Sequence, residues 1–142
     1  MASQNFTILP RALALALHNF GSDSLKVLLV SSVPSEANFD AWTSRADVTN
    51  EITGTGYTAG GIAQAYTLET LDTVNNRQEI TLSDNASAWT SATISAVGAI
   101  IYKDSGTAAT DYLISFVDYG GTVTVTNGTF GLTYTTKLII NG

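Results

Sequence analysis

Tyr112-Leu-Ile-Ser-Phe-Val-Asp-Tyr-Gly-Gly-Thr-Val-Thr-Val-Thr-Asn-Gly-Thr-Phe-Gly-Leu-Thr-Tyr134 is the stretch that decides the fold class. Tyr112 to Tyr119 is dense in β-branched and aromatic residues and reads as a strand. Gly120-Gly121 reads as a tight turn, and Thr122 to Thr126 as a strand with Val123 and Val125 on one face and threonines on the other. Asn127-Gly128 follows at once. Between alternating segments this dipeptide is the strongest short-range hairpin signal, because a type I′ turn needs positive φ at both central positions. Phe130, Leu132 and Tyr134 resume the alternation, and Leu138-Ile-Ile140 supplies a closing strand.

Working outward, Thr93 to Tyr102 is a long strand whose apolar density predicts burial on both faces, and Trp89 sits in a short stretch suited to pairing at an edge. Gln78 to Leu82 and Ile62 to Glu69 are further strands, the latter preceded by turn-forming glycines at 54, 56, 60 and 61. Lys26 to Ser32 is a buried strand stopped by Pro34. Ser35 to Asn50 reads as a loop in which Phe39 and Trp42 can anchor a turn of helix. Pro10 to Phe20 is predicted helical, with Leu13, Leu17 and Phe20 on one face, Pro10 in the first turn and Gly21 as the stop. The expected architecture is therefore mainly β: one domain over residues 10–142, a β-sandwich or barrel-like antiparallel sheet with one short N-terminal helix at about 10–20, preceded by an arm at residues 1–9.

Composition narrows the function classes. Charged residues make up only 13% of the chain, about half the usual share of a soluble domain, so its surface is built from Thr, Ser, Asn and Gly. The net charge is −6, and the six basic residues stand singly at Arg11, Lys26, Arg45, Arg77, Lys103 and Lys137. No basic patch exists to neutralise phosphates, which argues against nucleic acid as a partner. Cysteine is absent, excluding disulfides and thiolate ligands. The apolar run Ala12 to Leu17 is far shorter than the roughly 18 residues of a membrane span, and Met-Ala-Ser-Gln-Asn does not open like a signal peptide. No membrane partner is expected.

No chemistry stands out. His18 is the only histidine, placed within the predicted helix and without nearby partners for a metal or a triad. No serine lies in a Gly-x-Ser-x-Gly elbow. Asp104, Asp111 and Asp118 sit at or near predicted turns, where aspartate caps backbone amides. The segment Gly54 to Gly61 lacks the Lys-Ser/Thr of a phosphate loop. No catalytic, cofactor-binding or metal-binding residue is assigned, and an enzyme is not expected. Phe116, Phe130 and Trp89 are read as core, the alternative being a platform for stacking sugar rings. Phe6 and Ile8, an apolar pair in the polar arm, are candidate partner-binding residues; folding back as an edge strand or stapling the helix is the equal alternative.

Three stretches carry a resemblance: Ser24-Leu-Lys-Val-Leu-Leu-Val30, Asn50-Glu-Ile-Thr-Gly-Thr-Gly-Tyr-Thr-Ala-Gly-Gly61, and Ala99-Ile-Ile-Tyr-Lys-Asp-Ser-Gly-Thr107 with Leu113-Ile-Ser-Phe-Val-Asp118. Together they resemble small virion proteins of tailed bacteriophages, of the head decoration or cement type. The resemblance implies a non-enzymatic homotrimer, made in the bacterial host cytoplasm, that sits on the outer surface of the capsid and binds the major capsid protein. It carries over no catalytic residue and no cofactor. A tail or fibre component and a carbohydrate-binding adhesin domain on the virion are the alternatives.

Overall fold

A computed structural model describes residues 3–141 and places ten regular elements of strand or α-helix in the order β1 (Ser3–Asn5), α1 (Ile8–Ala14), β2 (Leu25–Val30), α2 (Glu36–Ala41), β3 (Ile62–Gln64), β4 (Tyr66–Leu68), β5 (Arg77–Leu82), β6 (Asn85–Lys103), β7 (Leu113–Leu132) and β8 (Leu138–Asn141). The fold is mainly β, as composition and alternation predict. A five-stranded antiparallel sheet runs β1-β7-β6-β2-β3, and a three-stranded one runs β4-β5-β8. Among the described residues neither sheet closes into a barrel.

Alternation sorts side chains between two cores. Val27 and Leu29 of β2 join Ala99 and Ile101 of β6 on one face of the large sheet, where Ile80 and Leu82 of β5, Leu138 of β8 and Leu9 of α1 meet them. Leu28, Val30, Ile100, Tyr102 and Phe116 point to the opposite face, covered by Phe39 and Trp42 of the α2 region and by Phe6. Of the stretch Thr93 to Tyr102, expected to be buried on both faces, only Ala99 to Tyr102 is; Thr93 and Ser95 are exposed, so residues 93–96 are covered on one face only. The α2 helix begins at Ser35, whose hydroxyl and backbone amide exchange hydrogen bonds with Asn38, and it presents Phe39 to the sheet. The strand expected over Ile62 to Glu69 is split at Ala65, where the chain passes from one sheet to the other. Buried Gln64 stitches this corner, donating to Ala65 O and Ser83 O at 2.8 Å each and accepting from the Tyr134 hydroxyl at 2.6 Å.

The expected turns in the C-terminal third are absent: residues 113–132 form a single strand, β7, paired with β6 from Tyr102↔Leu113 to Asn85↔Leu132. Gly120-Gly121 and Asn127-Gly128 mark bulges. Between the pairs Gly98↔Asp118 and Ala96↔Val123, Val97 faces the four residues Tyr119 to Thr122, with Gly120 at φ +76° and its amide donating to Asp118 Oδ1 at 2.8 Å. Between Ile94↔Val125 and Ala92↔Gly128, Thr93 faces Thr126 and Asn127. Asn127 takes φ +46° but Gly128 does not follow it into the left-handed region, so no type I′ turn forms. These irregularities bend the ribbon strongly. Tyr119 and Phe130 lie eleven positions apart, which a straight strand would stretch to roughly 36 Å. Their rings are 6.1 Å apart, so the strand curls over the first core.

The helix expected over Pro10 to Phe20 ends at Ala14. Leu17 N–H bonds Ala12 O at 2.7 Å, Ala16 N–H bonds Leu13 O at 3.1 Å, and Ala16 adopts φ +58°, which together make a Schellman stop. His18 consequently lies beyond the helix rather than within it. The arm is structural over its described part. Ser3–Asn5 pairs with Ser115–Val117 of β7, and Phe6 is fully buried with its ring centroid 4.9 Å from that of Phe39. The arm folds back rather than reaching outward, but the edge strand is Ser3–Asn5, with Phe6 just after it and Ile8 opening α1: Phe6 has no exposed surface to offer, and half-buried Ile8 packs against the same core. The cause is the apolar gap between α2 and β7, which an aromatic ring fills at less cost than water.

Candidate functional site

The two longest uncharged intervals of the chain meet in the far half of the β6–β7 ribbon, Asn85–Ala96 with Val123–Leu132. Trp89, Ala92, Ile94 and Phe130 line its inner face and are buried. The outer face carries hydroxyls, with Ser95 Oγ and Thr124 Oγ1 2.7 Å apart and the Asn127 amide donating to Thr93 Oγ1 at 3.1 Å. A shallow groove continues this face past Ile94 toward Ser31, Glu51 and Thr53. No charged residue lies between Asp84 and Lys103 or between Asp118 and Lys137. In a chain of net charge −6, both strands of this half are thus uncharged.

Its edge is open as well. β1 pairs with β7 only over Ser115–Val117, so among the described residues the outer edge of β7 from Val123 to Leu132 has no strand beside it. Val123 is 43% exposed there.

The glycine-rich segment is a structural strap. Glu51 accepts from the Tyr57 hydroxyl at 2.8 Å and from the Gly60 amide at 2.6 Å, and the Leu29 amide of β2 donates to Tyr57 Oη at 3.0 Å. The Tyr102 hydroxyl donates to Gly60 O. Gly61, at φ +73°, packs so closely that a Cβ would stand 1.8 Å from Val27 O. These bonds tie the segment to its own sheet, consistent with a turn-forming role.

The three aspartates cap backbone. Asp104 and Asp118 accept from the amides of Gly106 and Gly120. Asp111 is buried and accepts from the Ser105 amide at 2.7 Å, the Ser105 hydroxyl at 2.8 Å and Arg45 Nε at 2.8 Å. Burial alone would raise its pKa, but the Ser105 amide and hydroxyl and the Arg45 guanidinium hold it below the usual carboxylate range. The guanidinium also lies 5.7 Å from the centroid of the Tyr102 ring.

His18 is buried, stacked on Phe20 with Tyr112 at its edge, and among the described residues neither ring nitrogen has a hydrogen-bond partner. Asp23 Oδ2 stands 3.7 Å from Nδ1, and Lys103 approaches Asp23 at 3.4 Å while donating to Leu17 O at 2.7 Å. Burial lowers the His18 pKa against the pull of Asp23. Among the described residues no three metal-ligating side chains gather.

No family model, curated protein or solved structure matches this chain. The surface must therefore be read from its own chemistry. All five Phe and both Trp are buried, Trp89, Phe116 and Phe130 included, so the core reading of those three holds. Sequence reasoning missed the open edge of β7, because it placed turns where the strand continues. The two long uncharged intervals were the signal available for it.

Proposed function

We propose that this chain is a non-enzymatic structural protein of a bacteriophage virion, a capsid decoration or cement protein that binds the major capsid protein on the outer surface of the head and stabilises the shell without a cofactor. The observation that carries the reading is the uncharged, hydroxyl-bearing far half of the β6–β7 ribbon, a surface suited to close contact with another protein because no ion has to be stripped of water when it is covered. The resemblance of Ser24–Val30, Asn50–Gly61, and Ala99–Thr107 with Leu113–Asp118 to phage decoration proteins supplies the shell as the partner. It also implies a trimer. A tail or fibre location would use the same surface against a different subunit. The adhesin reading finds no support in the rings, since no aromatic side chain is exposed among the described residues.

Adding purified protein to capsids that lack it tests the proposal. Wild type is expected to sediment with the capsids and raise their thermal stability. The Thr93→Lys/Ser95→Lys variant, which places two ammonium groups on the exposed outer face of the ribbon, is expected to fold normally by circular dichroism and bind weakly. Undiminished binding by that variant would move the contact to another surface.

A further inference from the structure

We propose that the outer edge of β7 at Thr122–Thr126 is a self-association site, where two copies of the chain pair antiparallel about a two-fold axis centred on Thr124. This rests on the ribbon's geometry alone, stands apart from the virion reading, and gives a dimer in solution where the resemblance to decoration proteins implies a trimer.

The segment reads Thr122-Val-Thr-Val-Thr126, which is the same in both directions. Antiparallel pairing centred on Thr124 therefore sets Val123 against Val125 of the second copy, Thr122 against Thr126, and Thr124 against itself. Every apolar residue meets an apolar one on the core-facing side, and every hydroxyl meets a hydroxyl on the other, both favourable cross-strand combinations. The strand is regular over the central Val123–Val125, where Ile94↔Val125, Ser95↔Thr124 and Ala96↔Val123 run without a shift; Thr122 and Thr126 lie in the flanking bulges, so the pairing is centred on these three residues.

Two further observations favour a second copy as the occupant. A row of backbone donors and acceptors with no strand beside it accepts an added strand readily, and natural edges guard against this with Lys, Pro, inward charges or bulges; here bulges flank the run but leave Val123–Val125 open. Here the interval from Tyr119 to Thr136 has neither charge nor proline. Two copies of a chain carrying −6 repel over most of their surfaces, and this uncharged edge is where they approach most easily. Val123, 43% exposed in the single chain, is covered by the pairing.

The absence of cysteine gives a direct test. Across an antiparallel pair, Cα atoms directly opposite lie about 4.5–5.5 Å apart, within the span a disulfide bridges. Under mild oxidant, Thr124→Cys is expected to convert almost wholly to a covalent dimer, while the exposed Thr73→Cys control on the β4–β5 connection stays largely single. By light scattering, wild type is expected at twice 14.9 kDa and Thr124→Lys, where two ammonium groups would coincide on the axis, at 14.9 kDa. A wild-type mass of 14.9 kDa throughout, a mass of three times that value, or a Thr124→Cys protein that cross-links no faster than Thr73→Cys would each overturn the proposal.

Discussion

Between Gly98 and Lys103, β6 is sandwiched on both faces; between Asn85 and Ala96 the same strand is covered on one. The near half pairs with β7 at Ile100↔Phe116 and Ala99↔Val117, and its sequence, Ala-Ile-Ile-Tyr, has no polar residue to give to solvent. The far half alternates, bulges and carries Thr and Ser outward. One continuous ribbon thus performs two tasks: the near half is the centre of the fold, and the far half is a surface held in place by it. The division falls at Gly98, where a Cβ would come within 2.5 Å of the Phe116 ring and of Val117 O.

The contrast predicts unequal costs. Ile100→Ala, at a fully buried position in the near half, is expected to lose about 3–4 kcal/mol of stability by denaturant unfolding, from lost transfer energy plus the cavity. Thr124→Ala in the far half should stay within about 0.5 kcal/mol. Similar losses at both positions would break the comparison. At the division, Gly98→Ala forces either the Phe116 ring or the Val117 backbone to move and is expected to cost about 2–3 kcal/mol.

Smaller effects test the bends. Gly120 has positive φ and open space where a Cβ would go, so Gly120→Ala carries backbone strain alone and is expected to cost about 1 kcal/mol. The mirror case is Ala16→Gly, which relieves the left-handed strain at the exposed end of α1 and is expected to gain about as much. The smallest effect lies at the loop end of the near half, where His18 packs against Tyr112. Its folded pKa is lowered, so as pH falls through the unfolded value of 6.5 the unfolded chain takes up a proton that the folded chain resists, and stability declines. Thermal unfolding of wild type should therefore show a drop between pH 7.5 and 5.5 that His18→Gln reduces, with Asp23 and Lys103 still in place. An identical drop in both proteins would mean that His18 is not its source.

Much of this was legible in the sequence, and what was not has a common cause. The strands β2 and β5, the near half of β6 and the helical turn anchored by Phe39 and Trp42 follow from local apolar density and β-branching. Gly120-Gly121 and Asn127-Gly128 announce positive φ, but that conformation serves a bulge as well as a turn. Which one forms depends on whether a strand some thirty residues away, β6, continues alongside. The end of α1 was hidden because alanine, not glycine, occupies its left-handed position. The placement of Phe6 stayed open because its partners, Phe39 and Trp42, are far along the chain. The open edge of β7 depends on the same bulges: it exists only if the strand does not turn back.

Cross-strand nuclear Overhauser effects in labelled protein therefore test the central claim most directly, that residues 113–132 form one bent strand with its far edge free. The account predicts backbone contacts of Ile94 with Val125, Ser95 with Thr124 and Ala92 with Gly128, and none joining Thr126 to Thr129 across a two-residue turn. Contacts between Thr126 and Thr129 together with loss of the Ile94–Val125 pair would show a hairpin at Asn127-Gly128 and contradict it.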